Sequence, residues 1–153
     1  MLLIGLAFAD TPWSTDLATL DPAFRARVDR VIARLEAQGY HPAPSCTYRS
    51  PDVQDAIASV GNATQAKGGE SCHNRQSHGN PAALAVDLWD GGLGPGLFFG
   101  VSSALEEQVP FLRALGAAAR AEGLNWGGNW SRKPPWSAWN LGWDPAHLED
   151  PRC

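Results

Sequence analysis

The chain has 153 residues, enough for one domain with its own core, and its 44% hydrophobic and 18% charged content is that of an ordinary globule. A formal net charge of −4 argues against nucleic acid as a partner, because counterion release needs a lysine- and arginine-rich face. No apolar run approaches the roughly 20 residues of a membrane span.

The first element is the apolar stretch Leu2 to Ala9. It is short for a signal peptide and lacks a basic segment before it, so cleavage and an arm packed on the domain both stay open. Residues 1–20 read as this N-terminal arm and residues 21–153 as a single domain. "DPAFRARVDRVIARLEAQGY" is the clearest helix. Asp21 caps it, Pro22 suits its first turn, and Phe24, Val28, Val31, Ile32 and Leu35 form one apolar stripe before Gly39. "HPAPSCTYRS" reads as loop and then a short strand, and "SPDVQDAIASVG" as a second helix capped by Ser50. "NATQAKGGES" is a polar loop. "ALAVDLWD" has the apolar and β-branched content of a buried strand. "GGLGPGLFFG" is a glycine-rich connection with room for a strand, and "EEQVPFLRALGAAARAEG" is a third helix closed by Gly123. The remainder holds five of the seven tryptophans and reads as two strands around a loop. Helices and strands mix without regular βαβ alternation, which is the pattern of an α+β domain.

Cys46, Cys72 and Cys153 have no CxxC spacing, so they form neither a disulfide scaffold nor a cysteine-based zinc site. One bridge, such as Cys46–Cys72, is open in an oxidising compartment. A hydrolytic zinc site takes three ligands from His, Asp, Glu or Cys and keeps a fourth position free. The helical HExxH motif is absent. What the chain offers instead is a histidine near Asp87, and then "DPAH" close to its end. Asp87 is the informative residue: in the apolar "LAVDLW", a buried carboxylate costs several kcal/mol unless a cation or an arginine compensates.

"TYRSPDVQ", "GGESCHN", "LAVDLW", "GLNWGGNW" and "DPAHLE", in this order from about Thr47 to Glu149, resemble the metallopeptidase family of D-Ala-D-Ala carboxypeptidases and L-alanyl-D-glutamate endopeptidases. That family includes endolysins and cell-wall hydrolases. The resemblance implies a small antiparallel sheet with helices packed on one side and one zinc ion in a cleft on the sheet. It implies His73, Asp87 and His147 as ligands, Asp144 as general base and acid, and Arg49 as the oxyanion-stabilising cation. Ser71 and Gln54 match positions near the ligands or the substrate, and Trp126 and Trp130 match cleft walls.

Thirteen residues separate His73 from Asp87 and eight separate His78 from it. Leaving out the seven residues Arg75 to Pro81 gives six, the family's usual gap, with Ser71 two before His73. His73 is therefore the expected ligand and His78 the runner-up. Cys72, adjacent to His73, is expected to point to the opposite face.

The resemblance implies a zinc-dependent hydrolase of peptidoglycan stem peptides, acting in the periplasm, cell wall or outside the cell. "GLNWGGNW" followed by "DPAH" is closer to the L-alanyl-D-glutamate endopeptidases; a D,D-carboxypeptidase is the alternative within the family. Two other classes stand beside it: a non-catalytic wall-binding or structural module of a phage tail or secretion device, and a domain whose zinc is closed off by Cys72 or His78 as fourth ligand.

Overall fold

Asp21 opens the first helix by chemistry legible in its neighbours. Its Oδ1 accepts the backbone N–H groups of Ala23 (3.1 Å) and Phe24 (3.0 Å), and Pro22 gives up no needed donor at the first turn. Helix α1 (Pro22–Glu36) then buries Phe24, Val28, Val31 and Leu35, spaced by one helical turn, and ends before Gly39, whose φ of +89° is left-handed. Burying each of these side chains stabilises the fold by about 1.5–3 kcal/mol.

The computed structural model describes residues 12–60, 66–93 and 102–153. The apolar stretch Leu2 to Ala9 lies outside the described residues, as do residues 94–100 of the glycine-rich connection. Residues 13–20 run along the domain: Trp13 Nε1 donates to Ser45 O (2.8 Å), Ser14 N–H to Tyr48 O (2.9 Å), and Thr47 N–H to Ser14 O (2.8 Å).

Strand β1 (Pro42–Cys46) begins earlier than the sequence suggests, taking in both prolines of "PAPSC". It is tolerated because β1 is an edge strand, where a missing N–H breaks no inner ladder. Helix α2 (Pro51–Ser59) is capped by Ser50. Strands β2 (Gln76–Ser77) and β3 (Asn80–Pro81) form a separate small hairpin. Strand β4 (Ala85–Asp90) is central in the main sheet. Helix α3 (Ser102–Ala121) starts before the stretch expected from the sequence and accommodates Pro110. Strands β5 (Asn125–Trp126) and β6 (His147–Glu149) complete an antiparallel sheet of order β1-β4-β6-β5. The architecture is the α+β one expected. Among the described residues no helix is long and apolar enough to cross a membrane.

One core joins α1, α3 and one face of the sheet through Phe24, Phe111, Leu112, Leu115, Val86 and Leu148. At its rim Glu122 accepts from Arg30 Nε (2.6 Å) and Arg34 Nε (2.8 Å), tying the end of α3 to α1. These two arginines hold the Glu122 carboxyl below its ordinary value of 4.5. A depressed carboxylate stabilises the fold above its unfolded pKa and loses that contribution as pH falls through the folded one. Glu122→Gln is therefore expected to lower the melting temperature at pH 7 and to change it far less at pH 3, as differential scanning calorimetry would read.

A disulfide joins Cys72 to Cys153 across a sequence separation of 81 residues, and Cys46 is free and buried. The pairing differs from the Cys46–Cys72 bridge considered from sequence. The chain end returns beside the turn that carries Cys72, whereas Cys46 lies within the sheet. In the chain-entropy picture such a loop closure contributes roughly 4.5 kcal/mol.

Candidate metal centre

The alternation of β4 generates the site. Val86 and Leu88 are fully buried towards the helices, so Asp87 emerges on the opposite face with its side chain 19% exposed. Antiparallel pairing sets His147 of β6 directly across from Asp87 on one side and Cys46 of β1 across from it on the other. His147 Nδ1 lies 3.0 Å from Asp87 Oδ1.

The "DPAH" motif is a turn. His147 N–H donates to Asp144 O (3.2 Å), with Pro145 at the second position that its fixed φ favours. Trp126 Nε1 clamps the turn through Pro145 O (2.7 Å). The two glycines of "WGGNW" have steric reasons: a Cβ on Gly127 would strike the Asp144 carbonyl, and one on Gly128 would strike the Trp126 ring. The turn thus brings the Asp144 carboxylate to 3.9 Å from His147 Nδ1.

His73 arrives from a single 3-10 turn, Cys72–Asn74, capped by Ser71, whose hydroxyl accepts His73 N–H (3.3 Å). Arg49 N–H donates to His73 O (3.0 Å) and Asn74 Nδ2 to Arg49 O (2.8 Å), fastening this turn to the segment after β1. The ring is 1% exposed. Its Nδ1 sits 2.7 Å from Thr47 O. A carbonyl only accepts, so Nδ1 carries the proton and Nε2 presents a lone pair. That Nε2 is buried, makes no hydrogen bond among the described residues, and lies 3.5 Å from Asp87 Oδ1. Leaving a buried polar atom unpaired costs about 1–3 kcal/mol.

Residues 75–81, which lengthen the gap between His73 and Asp87 from six residues to thirteen, fold as the β2–β3 hairpin, closed at its base by Ala82 N–H to Arg75 O (2.9 Å). His78 is at its exposed tip in the left-handed region (φ 52°) and belongs to no cluster with Asp87. Cys72, engaged with Cys153, is not available as a thiolate beside His73.

Five titratable side chains meet here: His73, Asp87, Asp144, His147 and Glu149. Burial disfavours charge on His73 and lowers its pKa. Burial would raise Asp87, but the two imidazoles beside it hold its carboxyl well below the usual carboxylate range. Burial, followed by the charge of Asp87, raises Asp144 to about 6. Burial also opposes a charge on His147, yet hydrogen bonds to Asp87 and Glu149 raise it to about 10. Three carboxylates around two imidazoles make a place for positive charge, and two overlapping groups, Asp87–Asp144–His147 and Cys46–His73–Asp87, have ligand atoms close enough to share an ion.

The remaining expected residues divide. Arg49 is near enough for its charge to act on Cys46, His73 and Asp144, and its Nε is buried without a partner among the described residues. The Trp130 ring lies 5.0 Å from that of His147. Together with Trp126, Asn129 and Arg132 it lines an open groove of about 590 Å³. Ser71 and Gln54, expected near ligands or substrate, are used within the fold. Ser71 caps the His73 turn, and Gln54 is fully buried and donates to Ala66 O (2.8 Å).

Two residues were not anticipated. Cys46 Sγ lies 3.7 Å from His73 Nδ1, and burial pushes its thiol up, so it packs as a neutral group. Nothing in the sequence pattern marks it. Glu149 lies 3.2 Å from His147 Nε2, and its spacing of two residues along a strand was the available signal.

No protein-family model matches the chain, and no curated protein matches it by sequence. Solved structures do. The LdcB LD-carboxypeptidase superposes with TM-score 0.54 at 19% identity, over 85% of this chain and 58% of its own length. VanYB, solved in complex with D-alanine-D-alanine, superposes with TM-score 0.51 at 16% identity, over 85% and 70%. The L-Ala D-Glu endopeptidase ChiX of Serratia marcescens gives TM-score 0.48 at 21% identity, over 87% and 81%. The chain spans little more than half, 58%, of the LdcB structure. The likeness to LdcB and VanYB is one of fold.

Proposed function

We propose that the chain is a zinc-dependent peptidase that cleaves peptidoglycan stem peptides, with His73 Nε2, Asp87 and His147 Nδ1 holding the ion. The observation that carries this reading is the bare Nε2 of His73, buried and aimed at the carboxylate that His147 also meets. A ligand set of two imidazoles and one carboxylate suits zinc and leaves the ion a net positive charge. The fold shared with LdcB and VanYB supports a peptide substrate from the cell wall, and so action there.

Zinc in such a site supplies Lewis acidity, lowering the pKa of an attacking water and polarising the scissile carbonyl. The chain's own residues supply the rest. Asp144, with its side chain 32% exposed and its pKa raised to about 6, takes a proton from the attacking water and passes it to the departing amine. Arg49, held by the backbone bonds of the His73 turn, offers a fixed cation to the oxygen on which charge develops. Trp130, against the His147 ring, walls the cleft on the side of the open groove.

Within this class we read the bond as L-alanyl-D-glutamate, on the "GLNWGGNW" and "DPAH" pattern. Digesting purified peptidoglycan with zinc-loaded chain and identifying new termini by mass spectrometry tests both levels. New D-Glu amino termini, abolished by a chelator, are expected. Release of free D-alanine alone would reassign the chain as a carboxypeptidase, and intact muropeptides in every arm would overturn the peptidase reading.

A further inference from the structure

We infer that Glu149 is the positioning residue of the site: its carboxylate holds the Nε2–H of His147 and so directs the Nδ1 lone pair of that ring towards Asp87 and His73. The inference rests on the zinc reading above and concerns how the ion's ligands are prepared.

The case begins with a proton. Only a neutral imidazole, with a single proton, can bind an ion, and both nitrogens of His147 face carboxylates: Nδ1 lies 3.0 Å from Asp87 and 3.9 Å from Asp144, Nε2 3.2 Å from Glu149. Left to Asp87, the proton would settle on Nδ1, the tautomer that cannot bind an ion there. Glu149 competes for it from the other end of the ring, and only a proton on Nε2 leaves Nδ1 bare. The strand makes this competition rigid. His147 and Glu149 are alternate residues of β6, hence on one face, and Glu149 pairs across both flanks with Ala85 of β4 and Asn125 of β5. Among the described residues it forms an ion pair with no lysine or arginine, so surface charge pairing does not explain it.

The two histidines are thus oriented by different means. His73 is fixed by a neutral carbonyl, that of Thr47, and presents Nε2; His147 is fixed by a carboxylate and presents Nδ1. A carboxylate partner also makes the ring a stronger donor, and outer partners of this kind are worth about 10- to 100-fold in metal affinity.

The test measures zinc affinity by chelator competition, and visible spectra of the cobalt-substituted protein, for the disulfide-intact full chain and for Glu149→Ala and Glu149→Gln. Glu149→Ala is expected to weaken zinc about 10- to 100-fold and to shift the cobalt bands. Glu149→Gln, whose amide oxygen still accepts from Nε2, is expected to recover the band positions and part of the affinity. Melting of the metal-free proteins separates orientation from folding. A Glu149→Ala chain with unchanged affinity and spectrum would overturn the inference. So would losses that track melting alone and are no smaller with glutamine. A wild-type chain that takes up no zinc or cobalt would overturn the zinc reading beneath it as well.

Discussion

Alanine at position 73 is expected to bring zinc content from one ion per chain to near zero, and stem-peptide hydrolysis down by at least about a thousandfold. His78→Ala is expected to change neither. The contrast follows from where the two side chains sit. His73 is 1% exposed, its Nδ1 is committed to Thr47, and its Nε2 has no hydrogen bond among the described residues. His78 rides the exposed tip of a hairpin outside the Asp87 cluster. Elemental analysis of the purified proteins, followed by the muropeptide digest, measures both quantities. Retention of zinc by the residue-73 variant with loss from the residue-78 variant would refute this ligand assignment. Because His73 is buried and bonded to Thr47, its removal also opens a cavity, so circular dichroism of the metal-free chain is the control for folding.

Asp144→Asn is the second large effect. It keeps the side chain's shape but not its ability to take a proton. Zinc content is expected to stay at the wild-type level, while kcat falls about 10²- to 10⁴-fold, the usual contribution of a general base, with KM nearly unchanged. The turn whose carbonyl receives His147 N–H holds the Asp144 carboxylate 3.9 Å from that ring's Nδ1. Burial and the neighbouring Asp87 raise its carboxyl above the ordinary aspartate value. Steady-state kinetics on a purified muropeptide separate kcat from KM. Lysis and wall binding both unaffected by the substitution would mean that turnover is not what this chain does, and would favour a binding module on the same fold.

Much of this protein is legible residue by residue. The cap at Asp21, the stripe from Phe24 to Leu35 and the apolar run around Asp87 each follow from local chemistry, and each element forms where that chemistry puts it. Strand β1 starts earlier than its sequence suggests because prolines read as loop until the strand is known to lie at an edge. The start of α3 was set too late because its first turns are poor in periodic apolar residues. Their place in the motifs puts Gln54 and Ser71 near the ligands or the substrate without saying which groups they bond. Only the folded chain shows one reaching Ala66 and the other capping the turn of His73.

Sequence by itself determined the α+β class and the helix starts that depend on caps, because those rest on periodicity and local hydrogen bonding; His73, Asp87, Asp144 and His147 came as candidates from the motifs that resemble a known family. Tertiary structure decided the rest. Strand pairing sets Cys46, Asp87 and His147 on one rung, and the His73 turn brings an unbonded nitrogen to that rung. The same packing joins Cys153 to Cys72 and sets the Glu149 carboxylate 3.2 Å from Nε2 of the second histidine. Contacts between residues far apart along the chain have no local signature: they exist only once burial of the α1–α3 core has fixed how the strands lie side by side.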